Sequence, residues 1–134
     1  MGITDDKHCE ILAAGIRDHN TRMMEGFRLF VQMFPAIAGG ALVLRLQRSD
    51  GTLPFAQFAW LADVLVLLVA FACALIIVDS FRGWKTYRHR LSQVAGADQV
   101  PPPDLFKSWL VEGMMLAAIA IAAILFVAFN PLRM

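Results

Sequence analysis

The chain has 134 residues, of which 58% are hydrophobic and 17% charged, and a formal net charge of +1. Soluble domains are about 45–50% apolar, and the excess here is concentrated in three blocks, so the sequence predicts one all-α integral membrane domain. Too little chain lies outside the blocks to enclose a substrate, and no catalytic motif is present, so we expect a protein that is not an enzyme.

Residues 1–26 are predicted to form an amphipathic helix that leads into the first membrane span. Leu12, Ile16, His19 and Met23 are spaced 4-3-4, which places them in one narrow stripe of a helix. This stripe supports two interpretations equally. The segment is either a helix that docks on a partner or senses a signal, or a solvated lead-in that lies at the membrane surface.

The first predicted span covers residues 27–44, which is short for the ~20 residues that cross a ~30 Å hydrocarbon core. Arg28 therefore has to snorkel at its start, and Pro35 is expected to kink the helix. Ala36 and Gly40 are small residues four positions apart, so they lie on the same face of the helix. We call such a pair a small-residue step; it lets another helix approach closely. A cleavable signal peptide ending near this step is disfavoured, because the polar segment before it is long and acidic.

An external loop, residues 45–57, connects the first span to the second, which is predicted at 58–81. The second span is apolar all round, whereas a helix of a soluble bundle carries one polar stripe. Ala70 and Ala74 repeat the small-residue step. We therefore expect this span to pack against other helices inside the membrane.

Residues 82–108 are basic and are predicted to extend the second span as a cytoplasmic helix, followed by a Pro-rich loop. Aromatic and aliphatic residues recur there at helical spacing with cations beside them, as is typical of a segment that meets anionic lipid heads. The same pattern occurs in nucleic-acid-binding segments, but we expect lipid or a partner helix and no nucleic acid. The predicted contact residues are Trp84, Lys85, Tyr87, Arg88 and Leu91.

The third predicted span covers residues 109–129 and is followed by an external tail, 130–134. Gly113 and Ala117 give this span a small-residue step of its own. Glu112 lies near its beginning, and the residues that follow are apolar or small. No polar residue lies at mid-membrane in the second or third span, which argues against an ion path through a single subunit.

The basic residues predict the orientation, because Lys and Arg in short loops stay in the cytoplasm. Nine of the twelve Lys and Arg lie in or beside 1–28 and 82–108, and three lie on the other side. We therefore expect a cytoplasmic N-terminus and an external C-terminus, with the bacterial inner membrane as the location.

Charged residues at the ends of the spans suggest an interhelical charge clamp. In an antiparallel hairpin Arg28 would lie level with Asp79, and Arg45 level with Asp63, with Glu112 joining the first pair. The two aspartates point about 160° apart at ~100° per residue, so one seam cannot hold both pairs. The sequence thus predicts at least one pair.

Two function classes follow. The first is a non-enzymatic accessory or structural subunit whose small-residue strips and cytoplasmic helices contact a larger membrane assembly. The second is a self-assembling channel or membrane-disrupting effector, gated through its cytoplasmic helices.

The expected partners are membrane lipids and other subunits or copies of the chain. We expect no metal and no cofactor, although a bound lipid is compatible with the pattern; Cys9 and Cys73 lie too far apart along the chain to suggest a disulfide framework.

Overall fold

The computed structural model describes residues 3–46, 55–96, 105–130 and 132. This part of the chain forms three α-helices, α1 (Ile3–Leu46), α2 (Phe55–Ala95) and α3 (Leu105–Ala128). Each helix is long and apolar enough to cross a membrane. The predicted all-α class and the three membrane-spanning helices are confirmed by these lengths and compositions.

The first two helices are much longer than the third. α1 has 44 residues and α2 has 41, which makes them ~66 Å and ~62 Å long at ~1.5 Å per residue. α3 has 24 residues and is ~36 Å long, close to the ~30 Å hydrocarbon core. About half of the α1–α2 pair therefore lies beyond the length of α3, and forms a two-helix extension. Both helices are continuous, through Pro35 in α1 and through Gly83 in α2.

α1 and α2 pack as an antiparallel hairpin whose register is fixed by close contacts at glycines. A Cβ added to Gly15 would lie 2.7 Å from the Tyr87 ring, and one added to Gly26 would lie 2.9 Å from Cγ2 of Ile76. The residue numbers of both pairs add to 102. Opposite residues elsewhere along the hairpin therefore follow the same rule, and the backbones approach closely where a side chain is missing.

The buried face of α2 forms a regular seam. Successive buried positions alternate between steps of four and three residues, the spacing that keeps one face of a helix toward a partner in a coiled coil. These positions are Ala59, Asp63, Val66, Ala70, Cys73, Ile77 and Ser80. The facing side of α1 buries Leu12, Met23, Phe30 and Ala41. The hairpin thus buries mostly small and medium side chains of α2 against larger ones of α1, such as Phe30.

α3 packs mainly on α2, and it touches α1 only slightly. Its buried side chains are Ile119, Ala123 and Phe126. Phe126 meets the ring of Phe34 from α1 edge-on, with 5.9 Å between the ring centroids, a favourable geometry for two aromatic rings. α2 is therefore the central helix, and the core lies where α3 crosses the membrane half of the hairpin.

Candidate functional site

A buried asparagine holds the end of α3 against the beginning of α2. Asn130 follows the last turn of α3 and is 1% exposed. Its side-chain amide donates to the carbonyl of Ala59 at 3.0 Å and to Oδ1 of Asp63 at 2.6 Å. Its side-chain oxygen accepts from the backbone N–H of Leu132 at 2.9 Å. We call these four residues the Asn130 cluster; it ties α3 to α2 through polar groups that water does not reach.

Asp63 therefore has a partner that the charge pattern did not predict. The expected partner was Arg45, but these two side chains do not form an ion pair within 4.0 Å. The hairpin register gives the reason. Asp63 lies opposite Gly39, which is six residues and ~9 Å of helix from Arg45. Asp63 contacts Asn130 instead, because α3 ends at the same end of the bundle at which Asp63 lies in α2.

The other half of the charge clamp is not formed by direct contact either. Arg28 and Asp79 are exposed, whereas Glu112 is buried between α2 and α3. Among the described residues, Asp18 and Arg22 form an ion pair within α1, with 3.1 Å between Oδ2 of Asp18 and Nε of Arg22. Arg28 is offset by five residues, ~7.5 Å, from the position opposite Asp79. A role of these charges in assembly stays a prediction.

Of the three predicted small-residue steps, the one in α2 is largely buried, whereas those in α1 and α3 contain exposed residues. Ala70 lies on the buried seam of α2, and Ala74 is half-buried. On α3, Gly113 is half-buried and Ala117 is exposed, and the atom nearest to a Cβ at Gly113 belongs to Trp109 of the same helix. Only the step in α2 therefore lies within the packing of this chain.

The step in α1 faces outward. Ala36 and Gly40 are exposed, and a Cβ added at Gly40 would meet no atom within 4 Å. They lie on a shallow apolar depression of about 210 Å³ between α1 and α2. We call this depression the outer groove; its walls include Ile37, Leu44, Phe58, Leu61 and Leu65. The described residues leave this surface uncovered.

In the two-helix extension, the predicted stripe of α1 packs on the side of α2 that carries Tyr87. The ring of His19 in α1 lies 5.3 Å from the ring of Tyr87 in α2. A Cβ at Gly83 would overlap the His19 imidazole. The stripe of α1 therefore docks on α2 of the same chain. The periodicity left a docking helix and a solvated lead-in equally open, and it carries no information on which helix a docking stripe would contact.

The basic contact residues of α2 point in different directions. Trp84 stacks on Phe81 with 6.1 Å between centroids, and the guanidinium of Arg88 lies 5.1 Å from the centre of the Trp84 ring. Lys85 is exposed, and Leu91 is half-buried. The cation above an aromatic ring gives this segment a fixed basic surface. Its contact with lipid or with a partner stays a prediction.

The described residues contain no group of three or more His, Cys, Asp or Glu side chains that could hold a metal ion. The thiols of Cys9 and Cys73 are free. Comparison with protein-family models, with curated proteins and with solved structures found no match to this chain.

Proposed function

We propose that this protein is a non-enzymatic accessory or structural subunit of a larger membrane assembly. The observation that carries the proposal is the outer groove, where Ala36 and Gly40 expose a helix surface with no side chain above it. Small residues on a membrane helix permit close backbone approach and favour helix association over lipid contact. A helix of another membrane protein is the partner that this surface fits.

The wide outward apolar surface agrees with such a role. In the apolar windows of the three helices, only 11%, 28% and 22% of the residues are buried within the chain. Asn130 and Asp63, which are buried polar residues of this part of the bundle, hold two of its helices together. The outward apolar faces can then contact lipid and neighbouring subunits.

The experiment compares two substitutions of a small residue by leucine. Gly40→Leu fills the outer groove, and Ala118→Leu adds the same side chain at an exposed position of α3 outside it. The wild type and both variants are extracted from their own membrane in a mild detergent, and the mass of each intact complex is measured. We expect the wild type and Ala118→Leu to carry the same additional polypeptide in fixed ratio, and Gly40→Leu to lose it.

Three results would count against the proposal. A mass that is a defined multiple of the chain alone, together with ion flux in liposomes, would support the self-assembling channel instead. A monomer without either property would contradict both function classes. An unchanged complex in Gly40→Leu would show that the outer groove does not take the partner.

A further inference from the structure

A cleft between α2 and α3 holds a buried carboxylate oxygen that has no hydrogen-bond partner among the described residues. Glu112 is 8% exposed, and its Oε2 is buried and makes no hydrogen bond to this part of the chain. The cleft has a volume of about 270 Å³. It is lined by Ile77, Phe81, Arg82, Lys85, Trp109 and Glu112, among others. This region lies apart from the outer groove, near the end of α2 where the basic residues begin.

An unpartnered carboxylate in such a place requires an explanation. A buried polar group that makes no hydrogen bond destabilises the fold, and a charged group does so more strongly. Protonation does not remove the problem, because the O–H of a protonated carboxyl also needs an acceptor. A ligand with a cationic N–H donor would satisfy the charged carboxylate of Glu112.

The two cations that line the same cleft also form no ion pair with the described side chains. Arg82 and Lys85 are both exposed. They line the cleft with Glu112 but are not within 4.0 Å of its carboxylate. The cleft therefore offers two cations and one separate carboxylate, with a space between them and apolar walls from Ile77 and Phe81.

We infer that this cleft binds the headgroup of a phospholipid with a primary ammonium, such as phosphatidylethanolamine. The ammonium donates to Glu112, the phosphate lies against Arg82 and Lys85, and the lipid chains follow the apolar wall. The volume equals about nine water-sized volumes of ~30 Å³ each, which accommodates a phosphate joined to a short amine. Trp109 is at the beginning of α3, the position that aromatic residues favour at a membrane interface.

A purely anionic lipid fits the cleft less well. Its phosphate would satisfy the two cations, as in other basic pockets between membrane helices. The neutral hydroxyls of a glycerol headgroup, however, offer Glu112 no cationic donor, and the carboxylate would repel the net negative charge of the lipid. A choline headgroup brings a positive charge without N–H donors, so it cannot hydrogen-bond to the carboxylate. The preference among these three headgroups therefore distinguishes the role of Glu112 from general attraction to the basic residues.

The test uses the delipidated full-length protein in detergent and three lipids with identical acyl chains: phosphatidylethanolamine, phosphatidylglycerol and phosphatidylcholine. Binding is measured by mass spectrometry of the intact protein–lipid complex. We expect phosphatidylethanolamine to bind about tenfold more tightly than the other two, as loss of one charge-assisted hydrogen bond implies. Glu112→Gln is expected to abolish this preference and to leave phosphatidylglycerol binding unchanged or stronger.

Two further variants complete the design. Replacing Arg82 and Lys85 together by alanine should weaken both phosphatidylethanolamine and phosphatidylglycerol, because both lipids carry the phosphate. Arg90→Ala removes a cation of α2 that does not line the cleft, and it should change neither. The inference is overturned if phosphatidylglycerol binds at least as tightly as phosphatidylethanolamine to the wild type, if Glu112→Gln keeps the preference, or if no lipid is retained.

Discussion

Close approach at Gly26 gives the most quantitative prediction of the hairpin. In Gly26→Val the new Cβ would lie 2.9 Å from Cγ2 and 3.3 Å from Cβ of Ile76, whereas carbon atoms pack at about 3.5–4.0 Å. The helices must separate locally or Ile76 must leave its rotamer. A change of rotamer moves Cγ2 of Ile76 but not its Cβ, whose position is fixed by the backbone, and β-branching restricts the rotamers that Ile76 can adopt.

The magnitude follows from two opposing terms. Overpacking of a well-packed contact costs about 1–3 kcal/mol, and valine with its two methyl groups belongs at the upper part of that range. Replacing glycine by valine inside a helix returns about 0.4 kcal/mol in helix propensity. We expect Gly26→Val to lower the free energy of unfolding by about 2 kcal/mol, a factor of about thirty in the equilibrium constant.

Gly40→Val is the matched control, since it makes the same chemical change in the same helix. No atom lies within 4 Å of a Cβ at Gly40, so its effect on the isolated chain should stay within about 0.5 kcal/mol. Both variants are unfolded in mixed micelles by increasing amounts of a denaturing detergent, and helicity is followed by circular dichroism. Equal stabilities of Gly26→Val and Gly40→Val would refute the close contact and, with it, the hairpin register.

The remaining predictions concern two contacts between helices, both measured in the same unfolding assay. Asn130→Leu should lower the free energy of unfolding by about 2–3 kcal/mol, because Asp63 keeps its buried position and loses a donor. In the double-mutant cycle with Asp63→Leu, the two changes should couple by more than about 1 kcal/mol. Additive effects would show that the hydrogen bond contributes nothing. Substitution of His19 and Tyr87 by alanine should couple by about 0.5–1.5 kcal/mol, as expected for two packed rings; zero coupling would mean that the extension does not hold this contact in solution.

The apolar blocks were sufficient to predict the three helices, and periodicity suggested which side of a helix could make contacts in the segments outside the predicted spans. The stripe that contains His19 and the seam that contains Tyr87 were both predictable, because helical spacing shows which side of a helix is buried. That they pack on each other was not predictable from spacing, since any helix with a complementary face satisfies the same pattern. The partner depends on the register of the hairpin, which only the three-dimensional contacts define.

The charge clamp was predicted from matching helix rises, and this reasoning assumed a register that the loop does not fix. The contact at Gly26 shifts Arg28 and Arg45 by more than one helical turn from the acids expected opposite them. Steric fit at glycines outweighs surface ion pairs, which contribute about 0–1 kcal/mol each. Glycines on a predicted seam are therefore the sequence signal that would have given a better register.

The Asn130 cluster had a weaker signal in the sequence. Asn130 directly follows the third apolar block, and Asp63 lies near the same predicted end of the second. Two polar residues at one level of a membrane bundle are candidates for a hydrogen bond, because each avoids an unsatisfied group in an apolar setting. The direction of the Asn130 side chain into the bundle was not predictable, since it depends on how the chain turns after α3.

Site-specific photo-cross-linking in the intact membrane tests the proposed subunit role most directly. A photoreactive amino acid is placed at Ala36, on the outer groove, and in a second variant at Ala118, on the exposed face of α3. The proposed function predicts one protein adduct of a different polypeptide from position 36, and predominantly lipid adducts from position 118. An adduct of the chain with a second copy of itself at position 36, or lipid adducts alone at both positions, would contradict it.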